Sequence, residues 1–313
     1  MKKRLLMLIF AAVLAAAAPA GAEKNLTLML DWFPNIDHLP IYLAREQGLF
    51  QEAGLQVEII SPSETADALK LAASGNIDLA VSYTPQTVIA AASGLDVVAV
   101  GRLVAHPLTT LLFLEGKGIE TPADLSGRRI GYTVPGLMDV LLEAFAALNG
   151  VKDYSAVNVG FAIVQSLTAG KVDAVMGPFK TYETVEMRHR GYTVGYFELE
   201  KHGIPDYDEL IFVCSRETLA KKELEIAGFI RAVGAAIVQM RSDPDAAFRD
   251  YLEAVPEADA ETESEAFELT LPYFADSQTH DAGRWQTFAD FAAKHRLIEK
   301  PVSAASLLYN AAP

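Results

Sequence analysis

The chain has 313 residues, is 51% hydrophobic and 21% charged, and carries 41 acidic against 26 basic side chains for a formal net charge of −15. That is the composition of a globular protein with room for one large or two medium domains. It argues against nucleic acid or an anionic membrane as partner, since both need a basic footprint.

Residues 1–22 read as an export leader. Lys2, Lys3 and Arg4 form a basic start, Leu5 to Ala18 an apolar run, and Ala20-Gly21-Ala22 a small-residue cleavage site. The run is shorter than the roughly 20 residues a membrane span needs, and no later stretch reaches that length. Cleavage is expected after about Ala22, which takes the formal charge from −15 to about −18. The residue directly after the cleavage point is not a cysteine, so no lipid anchor is expected. Cys214, in the apolar "ELIFVCSRET", is expected as a small buried hydrophobe.

The mature chain then alternates strands and helices. "NLTLMLDW" predicts a strand, "HLPIYLAREQGLFQEAG" one helix closed by glycine, and "LQVEIISPS" a second strand. "ETADALKLAASGN" predicts a helix stopped by Gly75, "IDLAVSY" a third strand, "TPQTVIAAASG" a helix with Pro85 in its first turn, and "LDVVAVGRLV" a fourth strand. The grammar restarts at "TPADLSGRRIGYTVPG" and continues through "MDVLLEAFAALNG", "YSAVNVGF", "AIVQSLTAGKVDAVMGPF" and "YTVGYFEL". "GKVDAVMG" echoes "GNIDLAVS": two lobes of similar build, or simply a shared helix-to-strand turn. After "YDELIFVCS" the pattern turns helical through "AGFIRAVGAAIVQMRS" and "GRWQTFADFAAKHRL". The acidic "EAVPEADAETESEAF" between them is expected as a solvated face or loop.

Repeated β-α-β units imply largely parallel sheets with helices on both faces. The fold class expected is α/β: two α/β lobes joined by two hinge segments, near "HPLTTLLFL" and "PDYDELIFV", with a helical tail packed on the first lobe. The expected division is residues 1–22 as leader, 23–110 as lobe 1, 111–207 as lobe 2, and 208–313 as the return to lobe 1 and its helices.

Ligands of open α/β sheets sit beyond the carboxyl ends of the strands. In the first lobe those ends carry Asp31-Trp32-Phe33-Pro34-Asn35, Ser61 to Thr65, Ser82-Tyr83-Thr84 and, after the fourth strand, His106-Pro107. Ser63, Thr65 and Thr84 suit helix caps in any such protein, but caps do not need the rings of Trp32, Tyr83 and His106. The second lobe offers Gly136, where backbone can approach a ligand, and Glu183, beside Tyr182. Carboxylates with aromatics suit a flat, nitrogen-rich ring that is neutral or cationic. An anion would call for a cation at the strand ends. There only Lys180 is a clear candidate, Arg102 lying within the fourth strand. No Gly-x-Ser-x-Gly, His-Glu-x-x-His, P-loop or paired-cysteine motif is present, so neither enzyme nor metal or cofactor is expected. His189 and His295 read as exposed helix residues.

"LDWFPNIDHLPIYLAREQGLF" resembles the opening of the ThiY-like group within the Thi5-like superfamily. These are the periplasmic substrate-binding proteins of ABC importers for thiamine pyrimidine precursors. Leu30, Asp31, Trp32, Pro34, Asn35 and His38, then Tyr42, Ala44, Gly48 and Phe50, match that group's pattern, and the likeness covers roughly residues 25–215. It implies a type II periplasmic binding protein whose ligand is a formylaminopyrimidine or hydroxymethylpyrimidine. The implied contacts are Asp31, Trp32, Asn35, Ser82, Tyr83, His106, Gly136 and Glu183. Asp31 and Glu183 would hold ring N–H groups, and Trp32 and Tyr83 would pack on the ring. The chain departs from the group at Ile36-Asp37, commonly Thr-Asn, and at Thr181, often Asn. The implied setting is the periplasm, as a monomer serving an ABC permease and its ATPase. Riboflavin or an alkanesulfonate or taurine-like solute on the same scaffold, and a pyrimidine-synthesising enzyme of this fold, stand as alternatives.

Overall fold

The structure, a computed structural model, describes residues 24–310; the leader expected over 1–22 lies outside them. From β1 (Lys24–Met29) the chain passes through a 3-10 turn (Ile36–His38) to α1 (Leu39–Glu46), α2 (Leu49–Glu52) and β2 (Leu55–Ile60). Next come α3 (Asp67–Ala73), β3 (Leu79–Ser82), α4 (Thr84–Ala92) and β4 (Val98–Val104). A crossover leads to β5 (Thr109–Leu114), β6 (Arg129–Tyr132), α5 (Met138–Asn149) and β7 (Ser155–Asn158). α6 (Ile163–Thr168), β8 (Ala174–Phe179), α7 (Glu183–His189) and β9 (Val194–Glu198) complete the second half. The chain returns through β10 (Leu210–Cys214) to α8 (Arg216–Ser242), α9 (Pro244–Ala254), α10 (Ala260–Thr270) and α11 (Ala282–Lys294).

The strands make two five-stranded sheets, ordered β2-β1-β3-β10-β4 and β7-β6-β8-β5-β9. Both follow one plan: three parallel strands, then an antiparallel strand arriving from the other half of the chain, then an edge strand. This is the two-lobed α/β architecture that the alternating pattern predicts. The Gly-x-x-Asp echo has a physical cause. Asp78, just before β3, accepts the Thr27 amide of β1 at 2.9 Å, and Asp173, just before β8, accepts the Arg129 amide of β6 at 2.9 Å. Each carboxylate ties the start of an outer strand of the parallel trio to the trio's central strand.

One predicted helix is broken in the structure. "HLPIYLAREQGLFQEAG" folds as the 3-10 turn, α1 and α2, because Gly48 takes φ +72 and turns the chain between the two helices. The tail wraps back on lobe 1 as expected. Phe229 of α8 stacks on Phe50 of α2 at 5.3 Å and meets Phe212 of β10 edge-on at 5.0 Å. The acidic run differs from expectation. α10 places Thr262, Glu263, Ala266, Phe267 and Thr270 on one buried face against the 3-10 turn and α7. From there Thr262 reaches His189 at 3.1 Å and Glu265 pairs with both His189 and Arg188, so His189 is bonded rather than free. Cys214 is buried, and burial pushes its thiol up to about 12.

The two crossovers are tied to one another and to the tail. Glu209 accepts the Thr109 amide and hydroxyl, each at 2.7 Å, and the Leu108 amide. Asp208 Oδ1 accepts from Arg102 at 2.7 and 2.9 Å and from Arg284 at 2.7 Å, while its Oδ2 accepts the Trp285 indole N–H at 3.2 Å. Among the described residues no helix is long and apolar enough to cross a membrane.

Candidate functional site

The loop after β1 builds the site. Asn35 caps the 3-10 turn, its Oδ1 accepting the Asp37 amide at 2.9 Å. That turn swings His38 back so that Nε2 lies 2.9 Å from Asp31 Oδ1. The Asn35 amide donates to His38 Nδ1 at 3.4 Å, which leaves the ring proton on Nε2, directed at Asp31. Tyr83, opening α4, donates its hydroxyl to Asp31 Oδ2 at 2.6 Å. Burial and then the Asp31 charge hold the Tyr83 phenol well above its ordinary pKa.

The second lobe supplies the facing wall. Glu183, at the start of α7, accepts the Phe179 amide at 2.7 Å, and burial pushes its carboxyl up to about 8. Tyr182 donates to Glu263 of α10 at 3.0 Å, and burial raises the Glu263 carboxyl to about 7. Asp37, buried between these groups, is also pushed up to about 7; desolvation is the main cause, and Asp31 and Glu263 add to it. The lobes touch across this space. Thr65 donates to the Thr133 carbonyl at 2.7 Å, while Phe161 packs on Trp32 at 4.6 Å and on Phe33 at 4.5 Å.

Between the walls lies a small cavity lined by Asp31, Asp37, His38, Trp32, Tyr83 and Glu183 among others, with a second recess beyond Trp32 toward Phe161. Neither is lined by a lysine or an arginine. Lys180 is committed elsewhere, to Glu198 and Glu200 at 2.9 Å each. Among the described residues no three His, Cys, Asp or Glu side chains converge as a metal would require.

Of the eight residues expected at the site, Asp31, Trp32, Asn35, Tyr83 and Glu183 line this cavity. Three do not. Ser82 is buried beneath it and donates to Gln86 at 2.8 Å, because the pleat sends it away from the side Tyr83 takes. His106 lies exposed at the first crossover, where its Nδ1 pairs with Asp206 of the second at 3.0 Å. Gly136 is exposed, and its amide donates to Asp139 at 2.7 Å, a local turn outside the cavity. Thr133, three residues earlier, takes the place expected of it.

The sequence reading missed Asp37, His38, Thr133, Gly177, Tyr182 and, behind them, Glu263. The helical spacing of Glu263 with Ala266 and Phe267 was the available signal for a buried acid. Gly177 is fixed by sterics: at φ +127, a Cβ there would lie 2.0 Å from Thr133 Oγ1. Gly177→Ala is expected to destabilise the fold by about 2 kcal/mol or more, read from urea unfolding. An unshifted midpoint would show that Thr133 can yield.

Comparison with known proteins adds the following. The model of the NMT1/THI5-like family matches residues 35–247. A Haemophilus influenzae protein named for thiamine biosynthesis is 35% identical over 91% of both chains. The formylaminopyrimidine-binding protein of Halalkalibacterium halodurans is 33% identical over 92% of this chain and 90% of that protein. A 4-amino-5-hydroxymethyl-2-methylpyrimidine phosphate synthase of Saccharomyces cerevisiae is 27% identical over 88% of this chain and 85% of that enzyme. The alkanesulfonate-binding protein of Xanthomonas axonopodis pv. citri shares the fold, with a TM-score of 0.73 at 20% identity over 93% of this chain and all of that one.

Proposed function

The chain belongs to the NMT1/THI5-like family, and on that footing we propose that it is the periplasmic solute-binding component of an ABC importer for a thiamine pyrimidine precursor. Exported and monomeric, it would close its lobes around a formylaminopyrimidine or hydroxymethylpyrimidine and deliver it to a permease and its ATPase. The observation that supports this best is the cavity lining: three carboxylates, an indole and phenol rings, with no lysine or arginine. Such a wall accepts N–H bonds from the edge of a heterocycle and packs on its faces. It offers no cation to pair with a sulfonate, nitrate or phosphate.

In this reading Glu183 and Asp37 accept ring-edge donors, Trp32 packs on the ring, and His38 and Tyr83 hold Asp31 in place. Asp31 keeps lone pairs for the ligand, since each oxygen spends one on its partner. A thermal-shift screen tests it. A ligand at 100 times its dissociation constant adds about 2.7 kcal/mol of stability, so the pyrimidines are expected to raise the melting temperature and the alkanesulfonates, taurine and riboflavin are not. Stabilisation by a sulfonate alone would overturn the assignment. Trp32→Ala is expected to weaken pyrimidine binding by about 1–3 kcal/mol, as loss of a stacking platform does, measured by calorimetric titration. Unchanged affinity would remove Trp32 from the site.

The synthase relatives favour a second reading, a pyrimidine-synthesising enzyme. It predicts retention of residues 1–22 and a pyridoxal phosphate absorption band in the purified protein. The absence of any lysine or arginine in the lining weighs against a phosphate-bearing group there.

A further inference from the structure

The protein's own hydrogen bonds leave out one group in the cavity. Asp37 is 1% exposed and lines the cavity, yet neither of its carboxyl oxygens has a hydrogen-bond partner among the described residues. The other acids there are engaged: Asp31 by His38 and Tyr83, Glu183 by the Phe179 amide, Glu263 by Tyr182. Facing Asp37 are His38 on its own turn, Asp31 after β1, Glu183 on α7, Tyr251 on α9, and Glu263 and Thr270 on α10. Three of these six are acids, and the one imidazole is already directed at Asp31. Thr270 lies outside hydrogen-bonding geometry, its own hydroxyl unpartnered. A buried carboxyl so placed keeps its proton until a positive charge arrives beside it. Two free oxygens on one carboxylate match two parallel N–H donors on a planar cation.

We propose that the cavity holds its pyrimidine as a cation, protonated on a ring nitrogen, with the Asp37 carboxylate as counter-charge. The proposal rests on the pyrimidine assignment above and names the ionic form that the site selects. The complex contains one proton, on the ring, and none on Asp37. Below the ring's own pKa the cation arrives charged and the Asp37 proton leaves to solvent. Between the ring's value and that of Asp37 the proton passes from carboxyl to ring nitrogen with no exchange. Above the Asp37 value one proton is taken from solvent. Affinity therefore peaks between the two values and falls on the alkaline side about tenfold per pH unit.

The test is calorimetric titration of the mature protein with 4-amino-5-hydroxymethyl-2-methylpyrimidine from about pH 5 to about pH 9, in two buffers of different ionisation enthalpy. The wild type is expected to show the peak, with proton uptake approaching one per ligand at the alkaline end. Asp37→Asn, nearly isosteric, is expected to lose the uptake and the alkaline slope and to bind about tenfold or more weaker at the peak. It is also expected to lose most of the wild type's preference for the 4-amino ring over its 4-oxo analogue. A flat wild-type profile without proton uptake overturns the proposal while leaving pyrimidine binding intact. An Asp37→Asn profile identical to the wild type assigns the proton to Glu183 or Glu263 and equally overturns it. Failure of any pyrimidine to bind at any pH overturns the assignment beneath it, and this proposal with it.

Discussion

Replacing Asp208 with alanine is expected to lower the unfolding free energy by about 3–5 kcal/mol, the cost of breaking a buried ion pair by removing one partner. The Asp208 side chain is 1% exposed, and those of Arg102 and Arg284 are 14% and 17% exposed. Alanine would take from two largely buried guanidiniums the carboxylate they share, and from the Trp285 N–H its acceptor. These groups come from three places: Arg102 on β4, Arg284 and Trp285 on α11, and Asp208 on the second crossover. The substitution therefore loosens the hinge and the seat of the tail together. Asp208→Asn keeps the shape and one acceptor and is expected to cost less. Urea unfolding of the two variants checks this, and an Asp208→Ala midpoint equal to the wild type would refute it.

The unliganded protein is expected to be most stable at or below about pH 4 and to lose several kcal/mol by about pH 8. Burial is the leading cause in each of four carboxyls that titrate high: Asp37, Glu209 and Glu263 to about 7 and Glu183 to about 8. A carboxyl whose folded pKa is raised binds its proton more tightly folded than unfolded. Its stabilising contribution is full below the unfolded value and is lost as pH rises through the folded one. One pKa unit is about 1.4 kcal/mol, so a single group carried from 4.5 to about 7 accounts for about 3 kcal/mol. Asp208 acts oppositely. Its guanidinium and imidazole neighbours outweigh burial and hold its carboxyl below the usual range, so its contribution is present above the unfolded value and lost on acidification. The sum places the maximum between the two. Unfolding free energies that rose steadily from pH 5 to pH 8 would contradict the four buried acids. A ligand that brings positive charge to Asp37 is expected to flatten the alkaline loss.

The architecture was legible because its signals are local. "NLTLMLDW", "IDLAVSY" and "ELIFVCS" are apolar runs bounded by turn residues, and the paired Gly-x-x-Asp motifs mark the same strand in two sheets of the same order. The site was legible as a list of strand ends and less so as a selection among them. Asp31 and Tyr83 were found together because adjacent parallel strands bring their ends to one edge. Ser82 was placed wrongly because one step along a strand reverses the side a residue faces. His106 was placed wrongly because its partner, Asp206, lies on the other crossover, and no local pattern announces that pairing.

Sequence by itself determined the alternation of strands and helices, the two crossovers, and the gathering of Asp31, Trp32, Asn35 and Glu183 at strand and helix ends. Those features depend on periodicity and on the residues immediately around each position. Only the tertiary structure decided that Asp37 is a buried acid without a hydrogen-bond partner among the described residues, that His38 turns back to Asp31, and that Glu263 of an acidic tail lies under the cavity. Each of those depends on which distant elements pack against the group and remove its water. Desolvation is a property of the assembled walls, and it is what makes an ordinary surface-type residue into a site.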